Sequence, residues 1–422
     1  MLKQKLESFG NIFKTVEIRQ KIIFSLIVII IFRLLASIPV VGIPADAIKK
    51  LFEGVAFGDT ISAISGGVLE TASVIAIGIS PYISASIVLQ LAGSFIPKLE
   101  ELRKEGTQGQ RIIGMYTRYL TVPLSILQAF VIYSTLRGFG FIDALDPLKL
   151  TALISTLTGG ALLIMWIAEL VGEGGLANGS SYIMFLGILA NVPGLIRTDL
   201  QNSDPLEITL FFLAIALIIG VVVLVSDSER RVKLMYSRRV RSGGTQDNYL
   251  PIKLTQFGVM PVIFAGYLVS VPVYVARFLV SKDYSDQITK VSNSIIDFLG
   301  NSNVYNIGTA VLVILFSFFY ITIVFNPKEI AENLQKQGAF VPGIRPGVQT
   351  EKYLRTIAYR LTFFGSIFLA VLAVLPNLLV NFGIISTTII SGTGLLIVVG
   401  VALDIRRKIE SMIVVRSYDR YI

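Results

Sequence analysis

The chain has 422 residues, of which 53% are hydrophobic and 15% are charged, and its formal net charge is +9. Soluble domains carry about 25% charged residues, so this composition indicates an integral membrane protein. The chain has no cysteine and no histidine, which excludes disulfides, thiolate nucleophiles, imidazole bases and Cys/His metal sites. We therefore expect no enzyme and no bound cofactor.

Residues 1–21 are predicted to form a cytoplasmic amphipathic helix on the membrane surface. Apolar side chains recur there every three or four residues, namely Leu2, Leu6, Phe9, Phe13 and Val16. An ordinary cytosolic tail is the alternative. The apolar run that follows contains Arg33, which argues against a cleavable signal peptide.

Ten apolar segments come close to the roughly 20 residues that a membrane-spanning helix needs. They are residues 22–39, 72–93, 112–136, 151–171, 181–197, 207–226, 256–280, 305–325, 355–376 and 384–404. Lysine and arginine are concentrated before the first segment and after the second, sixth, eighth and tenth. This alternation predicts that both termini and the long loops 227–254 and 326–354 are cytoplasmic.

Ten spans can divide into two sets of five with opposite orientations, as in proteins built from inverted repeats. The corresponding halves are residues 22–200 and 201–404, followed by a cytoplasmic tail at 405–422; no residue-level repeat relates them. One loop breaks the charge pattern, because the end of the fourth segment carries Glu169 and Glu173 and no basic residue. These carboxylates are one helical turn apart, and we interpret them as structural rather than catalytic.

The second segment is unusually polar for a span, with the sequence Gly78-Ile-Ser-Pro-Tyr-Ile-Ser-Ala-Ser-Ile-Val-Leu-Gln90. In a helix, successive residues are 100° apart, and this segment then has two stripes about 100° from each other. One stripe contains Ser73, Ser80 and Ser84. The other contains Ile79, Ile83, Ser86 and Gln90. Such a span should have at least two neighbours other than lipid. Residues 57–71 before it suggest a short helix or re-entrant piece, and an external loop is the alternative.

Four motifs in this order resemble the SecY family, the central subunit of the bacterial protein-conducting channel. They are Gly78–Gln90, Trp166–Ser181, Asn326–Gly347, and Gly392–Val399 with Asp404. The resemblance runs nearly end to end. It implies an all-α polytopic membrane protein with ten transmembrane helices in two inverted five-helix halves around a central pore. The departures are Gly172, Ala177 and Ser180, where the family usually has threonine, glycine and an apolar residue.

The resemblance also implies an apolar pore ring and a plug. It places the ring at Ile79, Ile83, Met184, Met260, Ile263 and Ile397, with Ser180 as a further position on the fifth span. It places the plug at residues 59–69, with Ile61, Ile64, Ser65, Gly66 and Gly67 in it. An apolar constriction can exclude water by dewetting and still fit around a crossing polypeptide. Without the resemblance, these residues would be interpreted as ordinary packing residues.

A lateral gate between the second and seventh spans is implied as well, through which signal sequences would reach the lipid. The resemblance assigns Pro81, Ser86 and Gln90 on the second span and Pro261 on the seventh span to this gate. A proline inside a helix removes a hydrogen bond and can kink it, so we expect kinks at Pro81 and Pro261.

The two long basic loops are predicted to be docking surfaces. Arg345 lies between two Pro-Gly turns, which display one guanidinium rigidly. Asn326-Pro327 predicts the start of a helix and Gly338 its end. Loop 227–254 is predicted to be a projecting hairpin that carries Arg238, Arg239 and Arg241. The alternatives are a topology-setting arginine and a solvated basic loop.

The function implied by the resemblance is a protein translocase channel that conducts unfolded secretory polypeptides across a bacterial plasma membrane and releases membrane-protein segments into lipid. The implied partners are small SecE and SecG type membrane subunits, the SecA motor ATPase, the ribosome, signal sequences and nascent polypeptides, and membrane lipid. A solute transporter or permease is the alternative. That class would need ionisable residues deep in the bilayer, where only Arg33 lies well inside a predicted span.

Overall fold

The computed structural model describes residues 16–40, 72–93, 95–138, 142–202, 205–236, 248–255, 258–282, 286–381 and 392–419. Several predicted features lie outside these residues: most of the amphipathic segment 1–21, the plug residues Ile61, Ile64, Ser65, Gly66 and Gly67, and the loop residues Arg238, Arg239 and Arg241. The described residues are mostly helical.

Thirteen helices and three strands form from the described residues. The helices are α1 (Val16–Ser37), α2 (Ser80–Ala92), α3 (Pro97–Lys104), α4 (Thr107–Gly138), α5 (Pro147–Gly174), α6 (Gly179–Asn202), α7 (Pro205–Asp227), α8 (Met260–Lys282), α9 (Asp286–Gly300), α10 (Ser302–Val324), α11 (Pro327–Lys336), α12 (Val348–Asn381) and α13 (Gly392–Asp419). The strands are β1 (Glu229–Tyr236), β2 (Asn248–Lys253) and β3 (Ala339–Phe340).

Long apolar helices dominate the fold. Within the described residues, α1, α4, α5, α12 and α10 together with α11 are long and apolar enough to cross a membrane, and the bent pair α2–α3 could make a sixth span. Shorter apolar stretches lie in α6, α7 and α8. Each of the ten predicted segments overlaps one of these helices. The number of spans itself stays a prediction.

Contacts group the chain into two compact units. The first has the bounds Met1–Asp204, Gly266–Tyr305 and Thr387–Ile422, and the second has the bounds Pro205–Ala265 and Asn306–Ser386. In the first unit α2 packs on α4 and α5, α5 packs on α4 and α6, and α6 packs on α13. The inverted five-helix halves remain a prediction.

The second unit contains a small sheet, which the all-α prediction omits. β1 pairs antiparallel with β2 from Glu229↔Lys253 to Leu234↔Asn248, which confirms the predicted hairpin in the loop 227–254. β1 also pairs with β3 through Met235↔Phe340, so the strand order is β2-β1-β3. The sheet therefore joins the two long basic loops, which the sequence presented as separate projections.

Candidate functional site

The backbone before α2 is not helical, contrary to the prediction of a single helical span at 72–93. Residues 72–79 form successive turns, and α2 begins only at Ser80. The segment is pinned by an antiparallel bridge between Pro39 and Ser73, with Val40 N–H donating to the Ala72 carbonyl at 2.9 Å. Ser73 therefore does not share a helical stripe with Ser80.

Glycine permits this irregular path at two places. Gly78 has φ +62°, a left-handed conformation that other residues rarely adopt. Gly160 of α5 lies so close to the segment that a Cβ on it would meet the Val74 carbonyl oxygen at 2.0 Å. All side chains from residue 72 to 79 are buried except Val74, which is half-buried. The irregular backbone is thus enclosed by protein, which is the condition for its presence at membrane depth.

The helix α2 is too short to cross a bilayer alone. Its 13 residues give a length of about 20 Å against a hydrocarbon core of roughly 30 Å. We expect the buried turns of residues 72–79 to supply the remaining depth. Ile79 is the last residue of these turns, and its carbonyl accepts the Ile83 N–H at 3.1 Å, which starts the helix.

Four predicted ring residues lie in the first unit and are almost fully buried. Ile79 is 0% exposed, Ile83 5%, and Met184 and Ile397 1% each. The last two lie on α6 and α13, which pack on each other. The position of α6 is fixed further by the Tyr182 hydroxyl, which donates to the Ser25 carbonyl of α1 at 3.1 Å.

The other two predicted ring residues lie in the second unit. Ile263 is 1% exposed and Met260 is half-buried, both in the first turn of α8. Apolar burial fits both a constriction and ordinary packing, so the ring stays a proposal.

Ser180 lies in the first turn of α6, one turn before Met184. Its hydroxyl donates to the Asn178 side-chain oxygen at 2.8 Å, and its N–H donates to the same oxygen at 3.2 Å. The side chain is therefore engaged at the start of the helix. Gly179 beside it admits no side chain, because a Cβ would lie 1.6 Å from the Ala168 carbonyl oxygen.

The predicted kinks at Pro81 and Pro261 are absent. Each proline is the second residue of its helix, α2 and α8 respectively, and each is buried. Proline is well tolerated there, because the N–H of that position has no partner within the helix and the fixed φ suits a helix start. These prolines therefore set where the two helices begin.

A hydrogen bond joins the two helices assigned to the lateral gate. The Tyr267 hydroxyl of α8 donates to the Ser80 carbonyl of α2 at 3.3 Å. The sequence reasoning missed Tyr267, although it lies one helical turn after the ring candidate Ile263. On α2 itself, the Gln90 amide donates to the Ser86 hydroxyl at 3.0 Å.

The polar side chains of α2 also contact a neighbouring span, as predicted. The Gln128 amide of α4 donates to the Ser84 hydroxyl at 3.5 Å. This bond supplies one of the neighbours other than lipid that the polar stripes required, and the bond from Tyr267 supplies another. Polar groups in lipid without such partners would be costly.

An ion pair accounts for the acidic end of the fourth span. Glu169 of α5 accepts the Arg118 guanidinium of α4 at 2.6 Å. The two residues are 51 positions apart, so no local pattern indicated the pairing. The carboxylate is neutralised by a neighbouring helix, which supports its interpretation as structural.

The basic loops build one platform around the sheet. Its core consists of Val232, Leu234, Ile252, Leu334, Ala339, Val341 and Leu354. The helix α11 begins at Pro327 as predicted, and the Asn326 side chain caps it by accepting the Glu329 N–H at 3.4 Å. It ends before Gly338, whose φ of +68° confirms the predicted stop.

Arg345 is exposed at the tip of this platform. Gly343 and Gly347 on either side both have positive φ, 78° and 94°, as the predicted Pro-Gly turns require. The Arg345 carbonyl accepts the Thr350 hydroxyl at 3.0 Å, and Thr350 is buried in the first turn of α12. The backbone is thereby fixed while the guanidinium stays accessible.

Comparison with solved structures identifies the class of fold. The chain matches "The structure of a protein conducting channel" with a TM-score of 0.66 at 17% identity, covering 93% of this chain and 92% of that chain. It matches Sec61 in the canine ribosome-channel complex from the endoplasmic reticulum with a TM-score of 0.62 at 17% identity and the same coverage. The fold is that of the protein-conducting channels.

Sequence comparison then gives the family. The model of the SecY family matches residues 73–406. Protein translocase subunit SecY of Mycobacterium tuberculosis is 37% identical over 444 residues, covering 99% of this chain and all of that protein. The Thermus thermophilus protein of the same name is 38% identical over 438 residues, covering 99% and 98%. The chain belongs to the SecY family, and its interpretation as a protein translocase subunit is confirmed over that of a solute transporter or permease.

Proposed function

We propose that the chain forms the central channel of a translocase in a bacterial plasma membrane, with both termini in the cytoplasm. Unfolded secretory polypeptides cross through it, and membrane-protein segments leave it sideways into the lipid. The observation that carries the proposal is the buried, irregular backbone of residues 72–79, which leads into Ile79 and the shortened helix α2. Irregular backbone at membrane depth is tolerated where protein or a cavity surrounds it.

The constriction of the channel consists of Ile79, Ile83, Met184 and Ile397, to which the family resemblance adds Met260 and Ile263. Their burial supports this assignment. Branched aliphatic and methionine side chains offer water no hydrogen-bond partner, so the closed ring dewets and blocks ions. Methionine adapts its shape to a passing chain, because it is unbranched and flexible. Residues 59–69 serve as the plug.

The side opening lies between α2 and α8. The bond from Tyr267 to the Ser80 carbonyl closes it, and a signal sequence that enters the opening must replace this contact. A neutral hydrogen bond contributes about 0.5–1.5 kcal/mol, which is enough to bias a gate without locking it. Ser86, Gln90 and the helix-starting Pro81 and Pro261 complete the gate.

The platform around Arg345 docks the partner that supplies energy. The rigid turns hold one guanidinium in solvent, ready for bidentate contacts to a carboxylate of the SecA motor ATPase or to a phosphate of ribosomal RNA. We assign Arg238, Arg239 and Arg241 of the loop 227–254 to the same docking role. Solved channels of the same fold have been described in complexes with ribosomes, which supports the second partner.

Small membrane subunits of the SecE and SecG type assemble with the chain. Exposed apolar side chains on α1, such as Ile30 and Leu34 at 60% and 61% exposure, suit contact with lipid or with such subunits. The ten spans, arranged as two inverted halves of five, enclose the pore.

The test is reconstitution of the chain with the small subunits in proteoliposomes, followed by addition of motor ATPase, ATP and a secretory precursor. Protection of the precursor from external protease measures translocation. Ion conductance in planar bilayers measures the seal for the wild type, for Ile83→Ser with Ile263→Ser, and for deletion of residues 60–68.

The matched control places serine on the same two helices but at exposed positions, Val88 and Leu268, each 48% exposed. We expect leak from the Ile83/Ile263 pair and a larger leak from the deletion, while the Val88/Leu268 pair stays tight. If all variants are equally tight, the ring and plug assignments are wrong. If the wild type does not protect the precursor, the channel function itself is refuted.

A further inference from the structure

The helix α9 (Asp286–Gly300), between the seventh and eighth predicted spans, has three different sides. Its apolar residues recur at intervals of three and four, with Ile288, Val291, Ile295 and Phe298 on one arc about 80° wide. These four side chains are 39%, 61%, 36% and 63% exposed. A stripe of this kind on a soluble surface would be costly.

The second side is polar and exposed. It carries Asp286, Lys290, Asn293, Ser294 and Asp297. The third side faces the protein, where Ser292 is only 2% exposed. A helix with one side against protein, one apolar side and one polar side is the arrangement expected at a boundary between lipid and water.

The chain tethers α9 at the ends of two apolar helices. It follows α8 after residues 283–285 and is separated from α10 by Asn301 alone. The predicted topology places this connection on the side of the membrane opposite to the basic loops. The preceding helix α8 also carries exposed apolar side chains, among them Leu268 at 48% and Val275 at 52%.

We infer that α9 lies along the outer membrane–water interface, with Ile288, Val291, Ile295 and Phe298 inserted among the lipid chains. The inference rests on the membrane placement of the chain and not on translocation. Lipid fits this stripe better than a protein partner, because four side chains are far fewer than the roughly 20–30 residues per side of a stable protein interface.

Charge distinguishes this anchor from one that binds anionic headgroups. Two aspartates and one lysine on α9 sum to −1 (1 − 2 = −1), so no basic surplus attracts anionic lipid. Burial of apolar area must therefore hold the helix, and its depth should not depend on the fraction of anionic lipid.

The experiment uses the complete translocase in nanodiscs. Because the chain has no cysteine, single substitutions Val291→Cys and Phe298→Cys can be labelled with an environment-sensitive fluorophore. Ser294→Cys on the polar side is the matched control. Fluorescence is quenched either by iodide in the water or by nitroxides at defined depths on the lipid chains. Retained translocation shows that each variant is folded.

We expect the labels at residues 291 and 298 to be quenched severalfold more by shallow lipid nitroxides than by iodide, with the opposite ratio at residue 294. The ratio should stay the same in zwitterionic and anionic nanodiscs. Equal access of iodide to both faces would overturn the inference. Shelter of residues 291 and 298 from both quenchers would also overturn it, because the stripe would then be covered by a partner subunit or a second copy.

Discussion

Gly160 and Gly159 are adjacent glycines that differ sharply in the space around them. An ideal Cβ on Gly160 would lie 2.0 Å from the Val74 carbonyl oxygen and 2.8 Å from its carbon, whereas a Cβ on Gly159 would meet nothing within 4 Å. Since Cβ contacts under 3.0 Å essentially do not occur, α5 or the irregular segment must move by about 1 Å in Gly160→Ala. Both sides are backbone, so no side chain can turn away.

The magnitude follows from two opposing effects. Overpacking of this kind costs about 1–3 kcal/mol. Replacing a helical glycine by alanine where space is open stabilises by roughly 0.5–1 kcal/mol. Both substitutions remove a helical glycine, so this gain cancels in the comparison, and we expect Gly160→Ala to be less stable than Gly159→Ala by about 1–3 kcal/mol.

The assay is thermal stability of the two purified variants, measured as the monodisperse fraction that remains after heating in detergent, together with ion conductance. Gly160→Ala should melt earlier and should leak, because the displaced segment ends at Ile79 of the proposed ring. Gly159→Ala should match or exceed the wild type in stability and remain tight. Equal stability of the two variants would refute the close approach of α5 to residue 74.

Three further substitutions test other contacts. Tyr267→Phe removes the bond between α2 and α8 and should favour gate opening by about 2- to 12-fold (about 0.5–1.5 kcal/mol). Precursors with less hydrophobic signal sequences should then be transported better. Tyr182→Phe removes a similar bond outside the gate and should not have this effect, so identical behaviour of the two variants would contradict the gate role. Arg118→Leu leaves the Glu169 carboxylate unpaired and should lower the yield of folded protein more than the double variant Arg118→Leu with Glu169→Leu does. In a double-mutant cycle, the coupling free energy between the two residues should be about 0.5–3 kcal/mol. Additive effects would show that the pair does not contribute to stability. Arg345→Glu should leave insertion and assembly intact while abolishing motor-stimulated translocation, and unimpaired transport would exclude the docking role.

The apolar pattern predicted where the helices lie but could not show where the backbone departs from a helix. Residues 72–79 are as apolar as a span, so their hydropathy resembles that of α2. The sequence nevertheless contains signals for the start of α2, because Gly78 can adopt a positive φ and Pro81 favours the first turn of a helix. The stripes drawn from Ser73 assumed one continuous helix, and for that reason they were wrong before Ser80.

Pairing between distant residues was beyond the sequence. The hairpin of β1 and β2 was predicted from turn residues and local pattern. Its third strand has only two residues, Ala339 and Phe340, about 100 positions further along the chain. The same holds for the contact of Tyr267 with Ser80, since no local pattern relates two residues that are 187 positions apart.

Consecutive residues connect the proposed seal to the proposed gate. Ile79 is the last residue of the irregular segment, and Ser80, whose carbonyl accepts the Tyr267 hydroxyl, is the first residue of α2. Ile83 follows one turn later on the same short helix. A helix of 13 residues moves as a rigid rod, so displacement of α2 away from α8 carries Ile79 and Ile83 with it. We therefore expect opening of the proposed gate and widening of the proposed ring to be one motion, resisted by the Tyr267 bond and by the packing of residue 74 against Gly160.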